Sequence, residues 1–378
     1  MKILFLAPVP YFKHEGAHPA PWITTLISHL SKSDVQITML NYSHHCTKDI
    51  ETFYEGDIEY IFVKTSHPKI NLATAYYSRI KKITKFINEN QNDFDIIHIF
   101  GNEHQFEISL KKIHKPKLLH VQGIISEYKK VYRQNGFKRL MWYLDEKYEK
   151  TGYHYIDNYS CRTDWDEKIV KHYRPDAKIF KVWEMIRDEF FLYRKENSGK
   201  DILFIGGTNL IKGLNFGLQS FDKIKDITGG KFFIVGNSKK EIIKKIIRDH
   251  NLSIDIEKDL EIKGFLKPEE ILKCYNECFC LLHPSIIDNS PNSICEAQVA
   301  GLPVIATNVG GVSSLIENNV NGILVNNDTN EIATKIVELF HDDSLRLKIA
   351  QNSIVLARER HDPQKIVKQT IKIYKEIA

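Results

Sequence analysis

At 378 residues the chain is too long for one ordinary hydrophobic core, so two domains are the natural expectation. With 42% hydrophobic and 27% charged side chains it reads as a globular protein in water, and no apolar run approaches the roughly 18 residues of a membrane span. The net charge of +5 is modest, and six cysteines (46, 161, 274, 278, 280 and 295) show no zinc spacing, which predicts buried free thiols in a reducing cytoplasm.

The opening MKILFLAPVP is too short an apolar run, broken by Pro8 and Pro10, for a secretory signal, and reads as a first buried strand. PWITTLISHL has helical spacing, and VQITML, IEYIFV, DIIHIF and KLLHVQG follow as short strands, with a helical stretch over 72–90 before DIIHIF. Residues 137–150 read as a helix, and YIDNYSC and AKIFKVW as late strands. The polar RKENSGK (194–200), with turn-favouring Gly199, marks a break. A second cycle then runs through DILFIGG, KFFIVGN, LEIKGF, CFCLLHP, PVIAT and GILV, again separated by helical patterns. Such alternation predicts α/β architecture: two Rossmann-like domains with parallel sheets, residues 1–195 and 196–360. Residues 361–378 carry apolar side chains at 366, 367, 371, 373, 374 and 377. That pattern is an amphipathic helix needing a partner surface, which either domain, the N-terminal one included, can supply.

Residues 281–311 (LLHPSIIDNSPNSICEAQVAGLPVIATNVGG) concentrate the chemistry. Ser290 is a good N-cap, Pro291 suits the first helical position, and Gly301 with Pro303 closes a helix of about ten residues. A helix start is an anion site, with Ser290, Asn292 and Ser293 as polar neighbours. Glu296 lies about 9 Å further along the axis, and Asp288 precedes it by eight positions. A phosphate at the helix end would bring hydroxyl-bearing groups near both carboxylates, as a nucleotide sugar requires. On spacing alone, an ordinary βα unit with Glu296 facing solvent is an equal reading. Upstream, DILFIGGTNLIKGLNFGL ends a strand in Gly206-Gly207, and Lys212-Gly213 opens a helix, placing a lysine where α/β sheets bind ligands. No GxGxxG or GxxxxGK[ST] occurs, which removes the main support for a dinucleotide oxidoreductase or a P-loop enzyme.

Taken together, these residues resemble glycosyltransferase family 4, retaining enzymes of GT-B architecture, over most of the chain and best in residues 202–325. The matching pieces are Gly206, Lys212-Gly213, Pro284-Ser285, Asp288, Glu296, the run AQVAGLPVIAT and Gly310-Gly311. The resemblance implies two Rossmann-like domains facing across a cleft, a nucleotide-sugar donor on the C-terminal domain and an acceptor on the N-terminal one. It also implies retention of configuration, with no metal and no cofactor. By position, Lys212 would hold the donor phosphates, Glu296 the ribose and Asp288 the transferred sugar, while Gly16 would let backbone approach the diphosphate. Four positions depart from the pattern. Gly207 stands where the family has an arginine, Asp288 replaces a glutamate, Pro291 has no N–H to offer, and Gln122 takes the place of a histidine of the N-terminal domain. His120, two residues earlier, is the alternative sugar contact or a core residue. Thr208, Asn209 or Arg187 is then expected to supply the arginine's phosphate contact.

Glu103 and His104, in GNEHQF after the strand DIIHIF, are acceptor-side candidates for orienting or deprotonating a hydroxyl, with a capping loop as the bland alternative. Asp93-Phe-Asp95 imitates a DxD metal motif but enters a strand, so no metal role is expected. Basic clusters at 76–87 and 111–117 suit an anionic surface or read as solvated helix faces, and the basic-aromatic YKKVYRQNGFKRLMWYL suits a membrane interface or a helix packed within the N-terminal domain. The expected partners are a nucleotide-sugar donor and a saccharide or lipid-linked acceptor of surface polysaccharide assembly, with no nucleic acid. The expected place is the cytoplasm, with the inner membrane face as a docking option. Two rivals remain at this point: a nucleotide-sugar epimerase on the same fold, and a non-catalytic nucleotide-binding partner subunit.

Overall fold

The computed structural model describes residues 1–11, 20–132, 135–193, 195 and 199–378. The chain divides into two compact units: unit 1 is Met1–Met185 with Asp362–Ala378, and unit 2 is Ile186–His361. Unit 1 thus ends ahead of the polar 194–200 stretch. The short helix Asp188–Leu192 packs on helices Pro268–Glu277 and Asn292–Ala300 of unit 2, with Phe190 fully buried.

Among the described residues, unit 1 holds an eight-stranded sheet. Its strands are β1 (Lys2–Leu6), β2 (Gln36–Ser43), β3 (Ile50–Glu55), β4 (Ile58–Lys64), β5 (Ile96–Phe100), β6 (Lys117–His120), β7 (Asn158–Cys161) and β8 (Lys178–Lys181), in the order β3-β4-β2-β1-β5-β6-β7-β8. The sheet is parallel except at one edge. β3, not read as a strand, pairs antiparallel with β4 through a turn at Gly56-Asp57, with Gly56 at φ 58°. Its IETFYE leaves alternate residues exposed and lacks the apolar run of a central strand; the Gly-Asp pair was the available hairpin signal. The helical stretch at 72–90 is also interrupted, as Pro68–Ala73 and Tyr77–Asn90, with Ala75 and Tyr76 left-handed between them.

Both faces of the unit 1 sheet are covered, as a parallel sheet requires. Along β1, Ile3 and Phe5 enter one core and Leu4 and Leu6 the other. The first core also takes Ile366, Ile373 and Tyr374 from the C-terminal helix Pro363–Ile377, so this helix completes unit 1. Tyr374 lies 2.7 Å from His98 Nδ1 on β5, tying the helix to the centre of the sheet.

Unit 2 holds six parallel strands among the described residues: β9 (Asp201–Ile205), β10 (Phe232–Val235), β11 (Leu260–Gly264), β12 (Cys278–His283), β13 (Val304–Thr307) and β14 (Ile323–Val325). Their order is β11-β10-β9-β12-β13-β14, with β9 and β12 adjacent at the centre. The order runs outward in opposite directions from this pair, and such a switch point is where an open α/β sheet leaves room for a ligand beyond its strand ends. All six cysteines are buried, and no disulfide joins them.

Candidate functional site

Three loops at the C-terminal ends of β9, β12 and β13 carry the unit 2 candidates. The β9 loop runs through Gly206-Gly207 to Gly213, where helix Leu214–Asp222 starts. Gly213 has φ 74°, and a Cβ there would lie 1.8 Å from the Pro284 carbonyl oxygen, so the β9 and β12 loops touch through bare backbone. Ile286 N–H donates to Ile211 O across the same contact at 2.9 Å. From the β13 loop, Gly311 N–H donates to Asp288 O at 2.9 Å, and a Cβ on Gly310 (φ 54°) would stand 2.0 Å from that oxygen. Glycines of the β9 and β13 loops therefore let both loops pack against the backbone of the β12 loop that carries Asp288.

The side chains converge there too. Lys212 Nζ donates to Asp288 Oδ2 at 2.6 Å, and His283 Nε2 lies 3.1 Å from the same oxygen. Asn289 N–H donates to Asp288 Oδ1 at 3.1 Å. Burial alone would raise the Asp288 carboxyl, but the Lys212 ammonium and His283 hold it well below the usual carboxylate range. His283 escaped the sequence reading, although a histidine ending the buried CFCLLH strand was a visible oddity.

The helix begins one residue later than its sequence suggests. Pro291 is the N-cap, with ψ 121°, and Asn292–Ala300 is helical, ended by left-handed Gly301. Ser290 is accordingly not the cap; its hydroxyl lies 4.0 Å from Cys295 Sγ, and no side-chain cap bond forms. Asn292 and Ser293 occupy the first turn, half-buried. One turn on, Glu296 is 5% exposed rather than solvent-facing, and Arg187 donates to its Oε1 from Nε at 3.0 Å and Nη2 at 2.8 Å. Burial raises the Glu296 carboxyl above its ordinary value, against the pull of Arg187. Arg187 also lies over the Phe190 ring at 4.9 Å. It is thus committed to Glu296 rather than free for a phosphate.

Gly207 explains its own departure from arginine. It has φ 54°, and a Cβ would sit 2.3 Å from the Asn237 carbonyl oxygen. Thr208, beside it, gives both its N–H (2.9 Å) and its hydroxyl (3.1 Å) to that same oxygen, while Asn209 Oδ1 accepts from Ile211 N–H at 3.2 Å. Restoring the arginine by Gly207→Arg is expected to lower stability by at least about 1 to 2 kcal/mol of left-handed strain instead of tightening nucleotide binding. Chemical denaturation of the variant measures this, and tighter binding at unchanged stability would refute it.

In unit 1, the candidates lie where β5 and β6 end. Gln122 is half-buried, and its Nε2 donates to Glu184 Oε1 at 3.4 Å. Glu184 also binds Arg162, and His120 Nε2 approaches its Oε2 at 3.6 Å, stacked on Phe100. Burial opposes its charge, yet Arg162 and His120 bring the Glu184 carboxyl down to about 2. Gln122 and His120 are therefore linked through one buried carboxylate that the sequence reading missed. Glu103 accepts from Gly123 N–H at 2.7 Å and fills the space that Gly101 and Gly123 leave by lacking side chains. Burial raises its carboxyl. His104 Nδ1 lies 3.4 Å from the Tyr42 hydroxyl, and burial with nearby Arg79 takes its imidazole down to about 4. Asp95 Oδ2 accepts from Lys2 N–H at 2.8 Å, a backbone-bracing role. Gly16 lies outside the described residues. Among the described residues, no group of three or more His, Cys, Asp or Glu is placed to hold a metal ion, and no helix is long and apolar enough to cross a membrane.

With this geometry in view, the likenesses to known proteins fall into place. Residues 199–342, the stretch holding Lys212, Asp288 and Glu296, match the family model described as glycosyl transferases group 1. Sucrose-phosphate synthase from Thermosynechococcus elongatus superposes with a TM-score of 0.79, covering 99% of this chain and 98% of that one at 15% identity. The fold is GT-B. In sequence, the chain is 25% identical over 181 residues to the uncharacterized glycosyltransferase MJ1607 of Methanocaldococcus jannaschii, 48% of this chain and 46% of that protein. It is 24% identical over 313 residues to an uncharacterized 41.2 kDa protein in the cps region of Klebsiella pneumoniae, covering 75% and 77% respectively. The chain spans about half the length of the first two curated relatives it matches, 46% and 48% of their residues.

Proposed function

We propose that this GT-B chain is a glycosyltransferase that moves a sugar from a nucleotide-diphosphate donor to a saccharide or lipid-linked acceptor in surface polysaccharide assembly. Transfer proceeds with retention and without a metal. The observation that carries the reading is the Lys212–Asp288 pair at the switch point of the unit 2 sheet, beside the start of helix Asn292–Ala300 and inside the family-matched stretch. A lysine at that edge offers the diphosphate a cation as the bond to the sugar breaks, electrostatic help of the kind that dominates such transfers. Glu296, a carboxylate already held by two N–H groups, suits the ribose hydroxyls, and Asp288 suits the sugar. In front-face displacement, the bond from C1 to the diphosphate oxygen breaks as the acceptor oxygen bonds C1 on the same side. The acceptor proton passes to the leaving phosphate. Gln122 is assigned to the transferred sugar and Glu103, His104 and His120 to the acceptor side, and the likeness to the Klebsiella pneumoniae cps-region protein supports the polysaccharide context.

Thermal-shift screening against UDP, GDP, ADP and their sugars tests this. One nucleotide should raise the melting temperature, and Glu296→Ala should lose that rise, at a cost of about 1.5 to 3 kcal/mol in binding for a charged hydrogen-bond partner. A variant stabilised as well as the wild type would remove the ribose assignment. Donor hydrolysis or transfer by the isolated chain, unaffected by chelator, separates this reading from a partner subunit. The absence of an epimerised donor separates it from an epimerase.

A membrane-facing acceptor is supported by Phe137, Leu140 and Tyr143, all more than half exposed, next to exposed Lys138 and Arg139 at the start of helix Gly136–Gly152. Liposomes of anionic lipid should co-sediment the protein at low salt and release it at high salt. No binding at low salt would end this part of the reading.

A further inference from the structure

His283 is not among the residues assigned above, yet both its ring nitrogens face groups that are. Its Nε2 is 3.1 Å from Asp288 Oδ2, its Nδ1 is 3.5 Å from Ser293 Oγ, and the residue is 2% exposed. An ionised Asp288 only accepts, so Nε2 carries the proton, and in a neutral imidazole Nδ1 must then accept from the Ser293 hydroxyl. The charged groups facing the ring are Asp288 from its own loop and Lys212 from the β9 loop. Helix Asn292–Ala300 contributes the uncharged Ser293, and β13 contributes Thr307, whose hydroxyl donates to His283 O at 3.4 Å. Lys212 and His283 thus share one oxygen of one carboxylate.

Resting on the donor reading above, we propose that nucleotide-sugar binding draws Lys212 from Asp288 onto the diphosphate and that His283 takes up one proton from solvent as it leaves. His283 is a positioning residue in this scheme: as imidazolium it keeps the Asp288 carboxylate paired and in place. The proton enters at Nδ1, which turns from acceptor to donor. The Ser293 hydroxyl then accepts from Nδ1, and its own hydrogen is released toward the phosphate at the helix start. Burial lowers the imidazole in the free protein, Asp288 raises it, and Lys212 lowers it again, so departure of Lys212 pushes it in the direction required.

Two measurements decide this. Calorimetric titration with UDP-, GDP- and ADP-glucose, in buffers of different ionisation enthalpy, counts protons taken up per nucleotide sugar bound. These diphosphates have no ionisation of their own near neutrality. Uptake should rise toward one proton as pH falls from about 7.5 to about 6, with Kd tightening in parallel, and His283→Gln should abolish it. Binding without uptake, or uptake unchanged in His283→Gln, overturns the proposal and leaves the donor reading intact; failure of all three sugars to bind overturns both. Should His283→Gln not fold, imidazole NMR of nucleotide-free Lys212→Met supplies the second measurement. The His283 titration should move to higher pH, and an unmoved titration overturns the proposal.

Discussion

Arg187→Met should destabilise unit 2 by about 3 to 5 kcal/mol at pH 8, the usual cost of leaving a buried carboxylate without its partner. The pair it breaks is 17% and 7% exposed at its two side chains, and both arginine bonds fall on Glu296 Oε1. The loss has a definite pH dependence. Burial already holds the Glu296 carboxyl above its ordinary value, and without Arg187 it rises further. A carboxyl raised in the folded state binds its proton more tightly folded than unfolded, so folding is favoured below the unfolded value and the advantage disappears as pH rises through the folded one. The destabilisation should therefore shrink on acidification, compared at pH 8 and pH 5, as Glu296 takes up its proton in the fold. Adding Glu296→Gln should recover most of the lost stability at pH 8. Denaturant melts of the single and double variants at both pH values measure this, and a loss independent of pH would point instead to the packing of Arg187 over Phe190.

Gly213→Ala should be harsher still, with little folded protein recovered. A single methyl would have to occupy space 1.8 Å from a backbone carbonyl, at φ 74°, where left-handed strain alone costs about 1 to 2 kcal/mol. The obstructing atom belongs to Pro284 in the loop that ends at Asp288, so relief requires the β9 and β12 loops to part. Any folded fraction should then have Lys212 displaced from Asp288 and a loss of nucleotide response out of proportion to its melting temperature. Full stability and a normal response would show that the loop contact is softer than its geometry indicates.

The layered architecture was legible because buried parallel strands are nearly continuous apolar runs, and CFCLLH, VIAT and ILFL announce themselves. An edge strand does not: IETFYE buries one side only, and its clue was the two-residue Gly-Asp turn. Within the candidate site, Lys212, Asp288 and Glu296 stood out through local spacing. Their partnerships did not. Lys212 meets Asp288 across 76 residues and Arg187 meets Glu296 across 109, and no periodicity encodes a pairing at such range. Gly207 looked like a lost arginine in sequence; the Asn237 carbonyl beside it shows a position closed to any side chain. Pro291 shows the limit of cap rules, since its extended ψ moves the helix start by one residue, to Asn292.

The helix Pro363–Ile377 also bears on how the protein is made. Unit 2 is one uninterrupted stretch, Ile186–His361, whereas unit 1 needs residues on both sides of it. During synthesis the second unit therefore emerges whole and can close its core first. The first waits, with the surface meant for Ile366, Ile373 and Tyr374 uncovered, until helix Pro363–Ile377 has followed unit 2 out of the ribosome. Its sheet is begun before unit 2 and sealed after it.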